Sequence, residues 1–189
     1  MEEILMNTPG KFDPQPHLLG ELLELRPLLP TDFESLFSVA SDPLIWELHP
    51  EPTRYQRSVF EQFFQGAIVH GALAVVDRST GAIIGSSRYY NPDAAMRDVS
   101  VGFTFLARSH WGGRANGEMK RLMLDHAIQS FDRVWLHIGP DNFRSRRAAE
   151  KIGAVYSHTG PVEIFGSIRI SAWYSIDASD WPMLKAESK

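Results

Sequence analysis

Hydrophobic positions along the chain change period several times, and each change marks an element. "GELLELRPLLP", starting at Gly20, has the apolar extended character of a strand and is ended by Pro30. "TDFESLFSVAS" moves to helical spacing, with Phe33, Leu36, Phe37 and Ala40 on one face and Thr31 with Glu34 as a capping box. "TRYQRSVFEQFFQGAIVHG" repeats the device: Thr53 and Gln56 form the box, Tyr55, Val59, Phe60, Phe63 and Phe64 the apolar stripe, and Gly71 the stop. Three strand-like runs follow, "ALAVVD", "AIIGSSRYY" and "VSVGFTFL", joined by "RSTG" and "NPDAAMRD", and they predict an antiparallel meander. From Asn116, Met119, Leu122, Met123, Ala127 and Phe131 recur at helical spacing. "RVWLHIG" reads as a buried strand, and "DNFRSRRAAEKIG" as a helix with Asp141 or Asn142 as cap and Gly153 just past its end. "AVYSHTG" and "IRISAWYSID" close the sheet. The order β-α-α-β-β-β-α-β-α-β-β is that of an α/β protein with a mixed sheet.

A chain of 189 residues, 43% hydrophobic and 22% charged, suits one core. The expected division is an N-terminal arm over 1–17, a single domain over 18–182 and a C-terminal tail over 183–189. The absence of Cys excludes disulfides and thiolate metal sites, and no metal is expected. "MEEILMNTPGKFDPQP" is acidic where a signal peptide is basic, and no apolar run reaches membrane-spanning length, so the expectation is a cytoplasmic protein without membrane attachment. A net charge of −4 argues against nucleic-acid binding.

The chemistry concentrates in "RSHWGGRANGEMKRLML". Gly112 and Gly117 have P-loop spacing, but Glu118-Met119 replaces the Lys-Ser/Thr pair that holds phosphate and magnesium. "GGRANG" also lacks the dinucleotide fingerprint. What survives is a strand, a glycine turn and a helix start whose unpaired amides converge near Arg108 and Arg114, an arrangement suited to phosphate or pyrophosphate. The same glycines also suit a purely structural turn. A helix end contributes only about 0.3–1 kcal/mol at an exposed site, so a ligand held here must be long enough to find further contacts. "DNFRSRRAAEKIGAVY" supplies a second helix start, with Asn142 and Ser145 in the first turn and Arg144, Arg146 and Arg147 along it.

These two segments resemble the GNAT superfamily of acyl-CoA-dependent N-acyltransferases, and within it the RimJ/RimL-like branch. "VGFTFLARSHWGGRANGEMKRLMLDHAI" is similar to the family's strand, pyrophosphate turn and helix, and "NFRSRRAAEKIGA" to its N-x-x-S-x-x-x-x-x-x-x-G segment. "LRPLLPTD" and "IIGSSRYY" match in position, and the resemblance spans roughly residues 18 to 182. The family's turn, Q/R-x-x-G-x-G/A, lies on His110-Trp111-Gly112-Gly113-Arg114-Ala115; anchoring on Trp111-Gly112 and the following helix instead requires one inserted residue. The implied fold is a mostly antiparallel central sheet flanked by helices.

The resemblance implies acetyl-CoA, or another acyl-CoA, as co-substrate and a primary amine as acceptor, either a small molecule or a protein N-terminus. Backbone amides from Gly112 to Asn116 are the implied pyrophosphate donors, Phe105 and Leu106 the main-chain partners of the pantetheine, and Asn142, Ser145 and Arg146 the helix-start contacts. Ser145 is the implied proton source for the leaving thiolate. The strand Glu of many relatives is Ser100 here, and the helix Tyr of others is Ala149. Glu163 in "PVEIFG" matches a RimL-like carboxylate and is the candidate base, with water relayed through His49 or His137 as the alternative. "WELHPEPTRYQ" is expected to cover the acceptor, with Trp46, His49, Arg54 and Tyr55 as its contacts. A sensor that binds acyl-CoA without turnover is the competing class, and monomer and homodimer both remain open, with "IRISAWYSI" as a candidate edge strand.

Overall fold

The computed structural model describes residues 12–187. Its elements are β1 (Leu18–Leu19), β2 (Leu23–Pro27), α1 (Phe33–Ala40), α2 (Arg57–Val69), β3 (Leu73–Asp77), β4 (Ile83–Asp93), β5 (Asp98–Leu106), α3 (Arg114–Ala127), β6 (Arg133–Ile138), α4 (Phe143–Lys151), β7 (Val155–Ile164), β8 (Ser167–Asp177) and α5 (Trp181–Glu187). The strands form one sheet in the order β1-β2-β3-β4-β5-β6-β8-β7. Every neighbouring pair is antiparallel except β5 and β6, which run parallel. This is the mixed, mostly antiparallel α/β sheet with flanking helices that the sequence predicts.

Alternation along the strands divides the core between the two faces. On β3, Leu73 and Val75 pack with Met119, Met123 and Leu124 of α3, whereas Ala74 packs with Leu36 of α1 and Phe60 and Phe64 of α2. Helices α1 and α2 therefore cover one face, and α3 the other.

Local expectations were met unevenly. Thr31 does not cap α1. Asp32 is the N-cap residue of α1 but gives it no side-chain cap either; its carboxylate closes the 3-10 turn Pro30–Asp32, accepting from the Leu29 amide at 2.9 Å, and pairs with both terminal nitrogens of Arg26 at 2.7 and 2.9 Å. Gln56 makes no side-chain cap for α2, the Thr53 hydroxyl donates to Glu51, and Tyr55 is exposed rather than part of the apolar stripe. These pairings lie two to six residues apart, so several local partners competed for the same polar groups and spacing alone did not rank them. Strand β4 continues through Asn91-Pro92-Asp93, and β7 through Glu163. The expected edge segment is interior: β8 lies between β6 and β7 and buries Ala172, Tyr174 and Ile176, so β7 forms the edge.

Both ends of the described segment pack against the core. Most of the expected N-terminal arm, residues 1–11, lies outside the described residues, but Phe12 sits 5.1 Å from the ring of Tyr89 and 4.8 Å from that of Phe131. At the other end α5 buries Trp181, whose indole donates to Asp125 at 2.7 Å. Phe12, before residue 18, and Leu184, beyond residue 182, both pack against the core.

Glu118 ties α3 to the first strands. It is buried, and its Oε1 accepts from the amides of Leu22 at 2.7 Å and Leu23 at 2.9 Å. A side chain at Gly20 would strike it, since a Cβ there would lie 2.1 Å from that oxygen. Glu118→Ala leaves two amides without their acceptor and is expected to lower unfolding free energy by about 2–4 kcal/mol. Glu118→Gln keeps an acceptor oxygen and should lose less than half as much; equal losses in urea melts would show that the charge, not the acceptor, matters.

Candidate active site

Strands β5 and β6 pair only at Asp98–Arg133, Val99–Val134 and Ser100–Trp135. Beyond that point β5 stays with β4 as far as Leu106, and β6 with β8 as far as Ile138, so the two neighbours separate. A β-bulge contributes to the parting. Between Arg88–Gly102 and Ser86–Phe105, β5 uses three steps where β4 uses two, and Phe103 adopts a left-handed φ of 52°. A cavity of about 630 Å³ opens in the wedge, within the usual range for small-molecule sites. Val101 to Leu106 form one side, and Leu136, His137 and Ile138 the other.

The glycine turn lies at one end. Gly112 has a φ of 71°, which favours glycine, and a Cβ on Gly112, Gly113 or Gly117 would meet nothing within 4 Å. Gly113 is the N-cap of α3 without any side-chain cap bond, so the first-turn amides through Asn116 lack intrahelical partners. Gly112 and Asn116 line the cavity, as do Asn142 and Ser145 of the second helix start. Asn142 caps α4 by accepting from the Ser145 amide at 3.1 Å. Trp111 fastens the turn to the strand, its indole donating to the Leu106 carbonyl at 2.9 Å.

Most of the nearby predicted cations are engaged elsewhere. Arg108 pairs with Asp42, Arg114 with Glu21 at 2.7 Å, and His110 approaches Asp77 at 3.3 Å. Arg146 donates to the Tyr174 hydroxyl at 2.9 Å and the Pro140 carbonyl at 3.0 Å. None of these four lines the cavity, nor do Gly113 and Ala115, the latter packed in the core. Arg144 does, stacked 4.1 Å over Trp111 and 3.5 Å from Glu47.

Lys120 escaped the sequence reading, although it stands one helical turn after Asn116 and so shares its face. It is 9% exposed and lines the cavity, and its Nζ donates to the Thr104 hydroxyl at 2.8 Å. Thr104 in turn bonds Ser87 at 2.7 Å. Burial pulls the ammonium down to about 7, so both protonation states are populated near neutrality.

The opposite end is walled by the segment before α2 and by β8. Trp46 is buried, its indole donating to the Ala40 carbonyl at 2.7 Å and its ring 4.9 Å from that of Phe105. His49 and Glu51 line the cavity; burial, with Arg54 and Arg169 adding repulsion, holds His49 down to about 3. His137 is held to about 4 by burial, with His158 adding to it, and its Nδ1 pairs with the Tyr90 hydroxyl at 2.8 Å. Arg54 is buried behind this wall, Tyr55 is exposed, and neither is a lining residue. Glu163 is exposed on β7 and also outside the lining, its carbonyl accepting from Asn91 at 2.7 Å. Among the described residues, no group of three or more His, Asp and Glu side chains is gathered as a metal ion needs, and no helix is long and apolar enough to cross a membrane.

The Lys120 site has a stability signature. Its folded pKa of about 7 lies below the ordinary 10.5, so an unfolded chain binds the proton more tightly and the residue opposes folding at pH 7. Lys120→Met is therefore expected to raise the melting temperature by several degrees at pH 7. That gain should shrink as pH rises towards 10, where the unfolded lysine also loses its proton. A gain independent of pH in parallel thermal melts would contradict the assignment.

Comparison with known proteins places this geometry. Residues 23–155 match the family model described as an acetyltransferase (GNAT) domain. A segment of 86 residues is 35% identical to the uncharacterized protein YkkB of Bacillus subtilis strain 168, covering 44% of this chain and 49% of that protein, so the match spans about half the curated relative. A GCN5-related N-acetyltransferase from Brucella melitensis superposes with a TM-score of 0.79 at 24% identity, covering 96% of this chain and 87% of that one. RimJ of Mycobacterium smegmatis, solved in complex with CoA-disulfide, gives 0.66 at 19% identity over 92% and 90% of the two chains. At such identities the structures speak to the fold, and the family model, which matches well over half the chain, decides membership: the chain belongs to the GNAT acetyltransferase family.

Proposed function

We propose that the protein transfers an acetyl or related acyl group from acyl-CoA to a primary amine by direct attack on the thioester. The observation that carries this reading is the parting of β5 and β6 beside the uncapped start of α3. Parted strands leave main-chain groups of β5 facing a slot rather than a neighbour, and an amide-containing arm can add there as a strand would. The α3 amides and the open space beside Gly112 and Gly113 suit a pyrophosphate at the slot's end, and Arg144 on Trp111 offers a cavity-lining cation beside the turn.

In the reaction, the amine nitrogen bonds to the thioester carbon, the carbon–sulfur bond breaks, the nitrogen releases one proton and the sulfur takes one. A main-chain amide on the parted segment of β5 is the donor for the developing oxyanion. Ser145 and Lys120 approach the slot from α4 and α3. Lys120 supplies positive charge and a proton to the departing thiolate, with Ser145 assisting, in place of the helix tyrosine that some relatives use and where this chain has Ala149. The amine's proton leaves through water past Glu51 to solvent, since Glu163 stands outside the lining and burial makes His49 and His137 weak bases.

Calorimetric titration with acetyl-CoA tests the binding half. Gly113→Glu, at a position with a φ of −96° and open space, should fold normally and weaken binding by at least about tenfold, roughly 1.4 kcal/mol. Thiol release with a panel of amines tests the chemistry: Lys120→Met is expected to lower kcat by about 10²-fold with acetyl-CoA affinity nearly retained, and Ser145→Ala by less. Binding without thiol release on any amine would favour an acyl-CoA sensor instead.

A further inference from the structure

At and behind the wall facing away from the helix starts lie cations that the reaction above does not use, Arg169 in the lining and Arg54 and Arg88 buried outside it. Arg54 before α2, Arg88 on β4 and Arg169 on β8 come together from three elements: burial lowers both Arg88 and Arg54, with Arg54 and then Arg169 adding repulsion at Arg88 and Arg169 adding it at Arg54. Arg54 is 6% exposed and Arg88 3%, and the buried Nε of each has no hydrogen-bond partner. Arg169 lines the cavity beside Ser171.

What holds these guanidinium groups is aromatic or neutral. Arg88 lies 3.6 Å over Phe103 and donates to the Gly66 carbonyl at 3.0 Å, and Arg54 lies 4.3 Å over Phe63 with one nitrogen 3.2 Å from His49. Among the described residues none of the three has a carboxylate within ion-pair reach, whereas surface arginines such as Arg57, Arg97 and Arg133 do. Glu51 is the acid that acts on Arg54 and also on Arg169, outside ion-pair reach of both, and its carboxylate is bonded to Thr53. His49 is neutral and adds no charge. The two buried arginines thus keep only ring faces and neutral partners, a carbonyl and an imidazole, which offset only part of the cost of burying charge. An anion arriving from the cavity supplies the missing counter-charge.

We propose that the acceptor is a small primary amine that also carries an anionic group, a carboxylate or a phosphate, held by Arg169 in the positive field of Arg54 and Arg88. The anion is taken at the β8 wall, and the amine end of the same molecule is thereby turned towards the parted segment of β5. Polyamines and neutral amines are disfavoured, the first by repulsion and the second by leaving the guanidinium groups unmatched. This inference rests on the acyltransferase reading and names its acceptor class.

The test compares thiol release from acetyl-CoA with free amino acids, the corresponding amino acid amides, aminoalkyl phosphates, the parent amino alcohols and spermidine. At least one acid or phosphate should exceed its neutral partner in kcat/KM by about 10–100-fold. Arg169→Gln should erase that preference, lowering the anionic substrate and sparing the neutral one, with acetyl-CoA affinity unchanged by calorimetry. The phosphate and carboxylate arms show which anion is preferred. Where no amine turns over, binding of N-acetyl amino acids and their amides to the CoA-loaded protein, read by thermal shift, takes the same comparison without chemistry. Equal use or binding of acid and amide, preference for spermidine, or equal damage to both classes in Arg169→Gln would overturn the inference. Failure of acetyl-CoA itself to bind would instead remove the acyltransferase reading beneath it.

Discussion

The short pairing between β5 and β6 is the constraint on which the rest of the molecule depends. Three registered pairs hold the two strands together at Asp98 to Ser100, and beyond them each strand follows its other neighbour. The bulge at Phe103 and the tight attachment of β4 at Gly85, where even a Cβ would lie 2.1 Å from the Phe105 carbonyl, keep β5 on its own course. A sheet that parts in its middle exposes main-chain donors and acceptors, and a buried main chain without partners is costly. The parting therefore creates the cavity, and it is the basis of the proposal that a ligand presenting amides along a line completes it.

Polar groups at the edges of this cavity are arranged at some expense to the fold. Glu118 and Lys120 stand two residues apart on α3 and are both buried, yet their situations differ. Glu118 satisfies two strand amides and contributes to the packed state. Lys120 finds a hydroxyl alone, and the low proton affinity it acquires through burial is a cost to stability that a ligand-facing role would explain. Arg54 and Arg88 repeat the pattern at the other end, where stacking on Phe63 and Phe103 replaces an ion pair. Stability and site chemistry pull in opposite directions at these residues.

The helix starts show how a sequence-level signal changes meaning in the fold. Asn142 is legible as a cap, and it does cap α4, yet the same geometry sets Ser145 on the cavity wall. Arg108 and Arg114 read as charge for an anion because they flank the glycine turn, but Asp42 and Glu21 take them away from it. Those two acids are 66 and 93 residues distant in the chain, and spacing carries no record of them.

Sequence alone determined what local physics decides: the periodicities of the helices, the meander, the positive-φ glycines at Gly71 and Gly153, and the glycine turn that opens α3. These depend on neighbours within a few positions, and the order of elements follows from them together with the two motif segments. Only the tertiary structure decided which strands part, which charges are paired and which are buried without partners. Lys120 became visible once α3 was laid against Thr104, and the three arginines once β4, β8 and the segment before α2 were assembled around Phe63 and Phe103. The physical reason is that desolvation and charge compensation are sums over groups brought together from distant parts of the chain, and those sums exist only after folding.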